Sequence, residues 1–148
     1  MPYISVDTMV FIRLEGVHKN TLNCIMSNAD IIAVTKEILN EYSGRAYSGT
    51  LILLSFLKRL EQEGKIRKFG RSLVRARIKR HQNVRRINYP SHPKDKKWIE
   101  IIIAVRGKYI ITCNSHLLGL RPNRCDGHTI DIVEPDDYMG IRCPNMII

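Results

Sequence analysis

Ile31-Ile32-Ala33-Val34 is apolar at four consecutive positions, with the punctuating residues Asn28 and Asp30 before it and Thr35 after it. A strand with no polar face has to be buried on both sides, the condition met by a parallel sheet covered with helices. Strand-like runs at 3–11, 66–69, 108–113 and 129–133 alternate with helical patterns at 18–29, behind a Thr35 N-cap, at 50–63 and at 73–81. In the 50–63 helix Leu53, Leu54, Leu57 and Leu60 are the expected core face, and Gly64 supplies the C-cap signal. In the 73–81 helix Ser72 is the expected cap and Leu73, Val74 and Ile78 the packing face, with Arg71, Arg75 and Lys79 on another. The two prolines Pro90 and Pro93 make 89–93 a loop.

Asp95 opens a helix that is apolar on almost every side through Trp98, Ile99, Ile101, Ile102, Ile103, Ala104 and Val105, so it should lie between layers and stop at Gly107. Asn114 leaves the 108–113 strand into a short turn or helix at 115–118, and Glu134-Pro135-Asp136-Asp137 starts a last helical turn. This order predicts an α/β fold, a three-layer α/β/α sandwich with a mainly parallel central sheet. One domain is expected over residues 1–140 with a short C-terminal tail at 141–148, and ligands are expected off the carboxyl ends of the strands. The chain has 148 residues, 44% of them hydrophobic, enough for a single covered sheet.

No basic segment followed by a long apolar one opens the chain, and the longest apolar stretch, 98–105, is interrupted by Glu100 and far too short to span a bilayer. A cytoplasmic protein with no membrane partner is expected. Four cysteines, Cys24, Cys113, Cys125 and Cys143, form no Cys-x-x-Cys pair, so reduced thiols are the default; a disulfide would suit a hyperthermophile. Cys113-x-x-His116 followed by Cys125-x-x-His128 has spacings a structural zinc accepts, against which Cys113 ends a strand expected to be buried.

The net charge of +10 is not spread evenly. Residues 65–97 hold thirteen Lys and Arg against one acid, Asp95, and the remainder is slightly acidic. Such a stripe attracts polyphosphate by counterion release. RNA is the expected partner, with Arg71, Arg75, Arg77, Lys79, Arg80, Arg85, Arg86, Lys96 and Lys97 as nucleic-acid-binding candidates. A solvated basic face, or one contacting acidic lipid, is the bland alternative. Against that charge, Asp7 at a strand end, Glu41 on an early helix and Asp95 at a helix start would gather with Asn114 in one crevice of a parallel sheet. Oxygen donors of this kind suit Mg²⁺ or Mn²⁺, and two ions about 4 Å apart can orient a water and stabilise the leaving oxygen of a phosphodiester. No Ser/His/Asp or Cys/His pattern competes, and no Gly-rich phosphate loop follows the first strand.

Five segments in order resemble the PIN-domain ribonucleases, which include the VapC-type toxins. They are Val6-Asp7-Thr8-Met9-Val10-Phe11-Ile12, Glu37-Ile38-Leu39-Asn40-Glu41-Tyr42, His92-Pro93-Lys94-Asp95-Lys96-Lys97-Trp98-Ile99-Glu100, Tyr109-Ile110-Ile111-Thr112-Cys113-Asn114-Ser115-His116-Leu117-Leu118 and Ile130-Asp131-Ile132-Val133-Glu134-Pro135-Asp136-Asp137-Tyr138-Met139. The resemblance spans residues 3–139. It implies a metal-dependent endoribonuclease, the toxin of a toxin–antitoxin pair, with Asp7, Glu41, Asp95 and Asn114 as Mg²⁺ or Mn²⁺ ligands and Thr112 as a supporting hydroxyl. It also implies a small antitoxin partner and a homodimer, the common state of related toxins. The chain departs from the family pattern at three places. Met9 replaces an Asn and cannot donate its hydrogen bond, Asn114 replaces an Asp and removes a negative charge, and His92 replaces an acid. The alternative reading is a non-catalytic RNA-binding module with a degenerate metal site.

Overall fold

The computed structural model describes residues 2–45, 50–84, 86–120, 123–125 and 128–146. Its elements run β1 (Tyr3–Val6), α1 (Thr8–Phe11), α2 (Lys19–Ser27), β2 (Ile31–Val34), α3 (Lys36–Arg45), α4 (Thr50–Gln62), β3 (Ile66–Lys68), α5 (Arg71–Gln82) and α6 (Lys96–Val105). Then come β4 (Tyr109–Ile111), α7 (Ser115–Leu118), β5 (Asn123–Cys125), β6 (His128–Val133) and α8 (Pro135–Arg142), with 3₁₀ turns at Pro93–Asp95 and Pro144–Met146. The strand order is β3-β2-β1-β4-β6-β5. The first five are parallel throughout, and β5 pairs antiparallel with β6 as a hairpin the sequence reading did not anticipate. Helices cover the sheet as a three-layer α/β/α sandwich.

From β1 the chain winds outward through β2 and β3, then returns to place β4 and β6 on the other side of β1. The crevice beyond the carboxyl ends of β1 and β4 is therefore the topological switch point, where open parallel sheets bind ligands. Backbone pairing fixes the two strands there, with Ser5 opposite Ile110 and Val6 opposite Ile111.

Most of the elements lie where periodicity puts them. Ile32, Ala33 and Val34 are buried, Thr35 Oγ1 accepts the Ile38 N–H at 3.2 Å, and Gly64 adopts φ +68° at the end of α4. The apolar helix α6 packs against β1, β2 and β4 and buries Trp98, Ile99 and every residue from Ile101 to Val105. Its exit needs Gly107, because a Cβ there would lie 2.6 Å from the Tyr3 carbonyl, while Arg106 takes the left-handed turn at φ 55°. No helix among the described residues is long and apolar enough to cross a membrane.

Several local expectations are corrected. The first strand stops at Val6 rather than reaching Phe11, because the Asp7 carbonyl accepts the N–H groups of Val10 and Phe11 and turns the chain into α1. A short apolar run is compatible with either geometry, and in the helix Val10 and Phe11 are both buried. Gly70, not Ser72, sits at the N-cap of α5. Leu54 and Leu73 are exposed, and Phe56 takes the inward place on α4. Helix α8 continues through Arg142, beyond the single turn expected after Glu134.

That continuation is anchored. Cys143 is disulfide-bonded to Cys24 across 119 residues, so these two are not the reduced thiols expected. The cause is the packing of α8 on α2, which no local spacing reveals. Beside the bridge Arg142 grips Asp30 with Nε at 2.9 Å and Nη2 at 3.1 Å, and the Tyr138 hydroxyl donates to the same carboxylate at 2.6 Å. Burial and that carboxylate hold the Tyr138 phenol well above its ordinary range. Cys113 is free and exposed. Cys125 and His128, half of the zinc alternative, have side chains outside the described residues.

Candidate functional site

The end of β1 delivers Asp7. Its N–H donates to the Ile111 carbonyl at 3.0 Å and its carbonyl serves α1, so its backbone is held from both sides. The side chain does not cap α1. It turns instead toward the end of β4, where the Thr112 hydroxyl donates to Oδ2 at 2.7 Å. Thr112 is fully buried, and its hydroxyl also accepts the Asn114 N–H at 2.9 Å. Asn114 caps α7 with Oδ1, which accepts the His116 N–H at 2.9 Å, and its Nδ2 donates to Asp95 Oδ2 at 3.1 Å. Asp95 stands at the N-cap of α6 without giving its carboxylate to that helix.

Glu41 comes from α3. One carboxylate oxygen accepts the Thr8 hydroxyl, and the other lies 2.7 Å from the Lys97 ammonium. An aromatic stack brings these elements together: Phe11 and Tyr42 lie 3.9 Å apart with ring planes at 2°, and Tyr42 and Trp98 lie 6.2 Å apart. Tyr42 follows Glu41, Trp98 follows Lys97, and the Tyr42 hydroxyl donates to the Val6 carbonyl just before Asp7. The rigid core therefore sets the register of the polar groups above it.

Asp7, Glu41, Asp95 and Asn114 line one cleft of about 450 Å³. Thr112 works beneath it as a support. Burial raises the Asp7 carboxyl above its ordinary value; the Thr112 hydroxyl opposes this, and the charges of Asp95 and then Glu41 push it further up. Mutual repulsion of this kind is what a divalent cation relieves. The carboxylates of Asp7 and Asp95 are hard oxygen donors suited to Mg²⁺ or Mn²⁺. Glu41 as it stands does not join them, because Lys97 and Thr8 hold both its oxygens. Among the described residues, no three His, Cys, Asp or Glu side chains converge on one ion position. Asn114 directs its amide nitrogen, not its carbonyl, toward Asp95.

The cleft also contains residues that the sequence reading missed. Thr8 binds Glu41, and Arg13 and Arg45 add cations to the wall. Arg45 had a signal, since it follows Glu41 by four positions on one helix face. Arg13 had none. Met9 and His92, two of the departures from the family pattern, line the same cleft.

The nucleic-acid candidates separate into groups. Arg71 and Arg75 line a groove of about 560 Å³ between α3, α5 and α6, and Lys97 lines it as well. Lys79, Arg80 and Arg86 are exposed, Arg77 donates to the Ala104 carbonyl at 2.7 Å, and Lys96 lies 5.1 Å over the Tyr89 ring. Arg85 lies outside the described residues. No family model matches the sequence, and no curated protein or solved structure is significantly similar to it.

Proposed function

We propose that the chain is a metal-dependent endoribonuclease of the PIN-domain type that hydrolyses RNA phosphodiester bonds in the switch-point cleft, as the toxin of a toxin–antitoxin pair. One observation carries the reading. Asp7, Glu41 and Asp95, from a strand end, a helix interior and a helix start, line a single cleft, and the charges of the other two raise the carboxyl of the first. Asp7 and Asp95 would hold Mg²⁺ or Mn²⁺, which when bound supplies an activated water and offsets charge on the leaving oxygen. Thr112 keeps Asp7 oriented, Arg13 and Arg45 favour a phosphate in the cleft, and the basic face of α5 attracts the strand without reading bases. An antitoxin would be a short cytoplasmic partner with an acidic segment that covers this basic face, and the toxin itself would be a homodimer.

The test is RNA cleavage by the full chain with and without Mn²⁺, repeated with Asp7→Asn. Metal-dependent turnover that disappears in the variant supports the assignment; a variant as fast as the parent removes it. A second reading, a non-catalytic RNA-binding module, is favoured by Asn114, which offers Asp95 an amide N–H where a fourth carboxylate would add metal affinity. It expects salt-sensitive RNA binding with no turnover in Mn²⁺.

A further inference from the structure

Lys97 touches the surroundings of two cavities. Its ammonium pairs with Glu41 on the acid cleft and donates to the Lys94 carbonyl, with its side chain only 11% exposed. The same side chain lines the neighbouring groove, whose walls carry Lys36, Arg71 and Arg75 with the carboxylates of Glu37 and Glu100. Glu100 already accepts the Tyr89 hydroxyl at 2.9 Å. The groove's cations outnumber its carboxylates, a positive balance that attracts phosphate.

We infer that Lys97 is a tethered cation coupling the two cavities. On Glu41 it withholds that carboxylate from Asp7 and Asp95; when an RNA phosphate seats against Arg71 and Arg75, Lys97 moves to it and Glu41 becomes free to complete the cation site. The inference rests on the reading of the acid cleft as a metal site. Three features support it. A lysine ammonium is a compact charge on a flexible stem, able to exchange one anion for another without the fixed fork geometry of arginine. Among the described residues, Glu41 once released keeps the Thr8 hydroxyl as its hydrogen-bond partner. A positive charge 2.7 Å from a ligand carboxylate disfavours a divalent ion on that carboxylate. The protein thereby acquires a cation site assembled by its substrate, and by linkage the metal must tighten RNA binding by the same factor.

The experiment is calorimetric titration of the full chain with Mn²⁺, alone and with a saturating, cleavage-resistant 2′-O-methyl oligoribonucleotide, for the parent, Lys97→Met, Lys97→Gln and Asp7→Asn. The expected result is a roughly tenfold or greater gain in Mn²⁺ affinity in both Lys97 variants without RNA, the size of about one removed charge interaction. RNA should tighten Mn²⁺ binding in the parent and leave it unchanged in the Lys97 variants. Parent-like affinity in both Lys97 variants, with binding lost in Asp7→Asn, overturns the coupling while leaving the metal site standing. Absence of Mn²⁺ binding in the parent and both Lys97 variants, with and without RNA, overturns both.

Discussion

Two buried aspartates occupy opposite ends of the sheet and keep opposite company. Asp30, just before β2, is 2% exposed and meets the Arg142 guanidinium through both oxygens together with the Tyr138 hydroxyl. Asp7, just after β1, is 8% exposed and meets one hydroxyl, from Thr112, with two further carboxylates close enough to raise its own. The residue type and the burial are nearly the same. What differs, among the described residues, is whether a cation grips the carboxylate itself. Where it does, the acid belongs to the frame that fastens α8 to the sheet. Where it does not, two neighbouring carboxylates raise the carboxyl instead, the like-charge company in which ligand sites are often found.

The comparison breaks first if Asp30 is not structural. Asp30→Ala should cost about 3 kcal/mol, the lower part of the range for a broken buried ion pair because Arg142 reaches solvent. Chemical denaturation measures it, and a loss within about 0.5 kcal/mol of zero would make the two aspartates alike. Next to it, the double variant Cys24→Ala with Cys143→Ala should lose about 2–4 kcal/mol, since the bridge constrains a long stretch of the unfolded chain. Its melting temperature should fall by roughly 2–4 °C for each kcal/mol, with cleavage by the folded fraction unchanged.

At the other end of the sheet, Asp7→Asn should lower kcat/KM for Mn²⁺-dependent RNA cleavage about a hundredfold or more, some 2.7 kcal/mol of transition-state stabilisation, with far-UV circular dichroism retained. The smallest effect sharpens the contrast most. Because burial holds the folded carboxyl of Asp7 above its ordinary range, its contribution to stability is complete below the unfolded value and is lost as pH rises through the folded one. In metal-free buffer at pH 7, Asp7→Asn should therefore melt at or above the parent, and this advantage should shrink as pH falls toward about 4. Melting curves across that range check the sign; an advantage that grows on acidification would mean that Asp7 is as well compensated as Asp30.

Much of this contrast was legible in the chain before folding. Ile31 to Val34 demanded a covered parallel sheet, the apolar girth of α6 demanded a place between layers, and the order of strand-like and helical runs put Asp7, Asp95 and Asn114 near the carboxyl ends of strands. Helix periodicity put Glu37 and Glu41 on one face, and the resemblance to the PIN-domain helix singled out Glu41. The pairing of Glu41 with Lys97 was not legible, because the two are 56 positions apart and become neighbours only through tertiary packing, the Tyr42–Trp98 stack included. The bond between Cys24 and Cys143 and the grip of Arg142 on Asp30 were hidden for the same reason.

The amino-acid sequence by itself determined the fold class, the localised positive stripe and which residue types were on offer as oxygen donors, since periodicity, capping and composition act over a few neighbouring residues. Only the tertiary structure decided which charges cancel and which are left facing one another. Coulombic interaction depends on separation in space and on burial, and both come into being when distant segments pack.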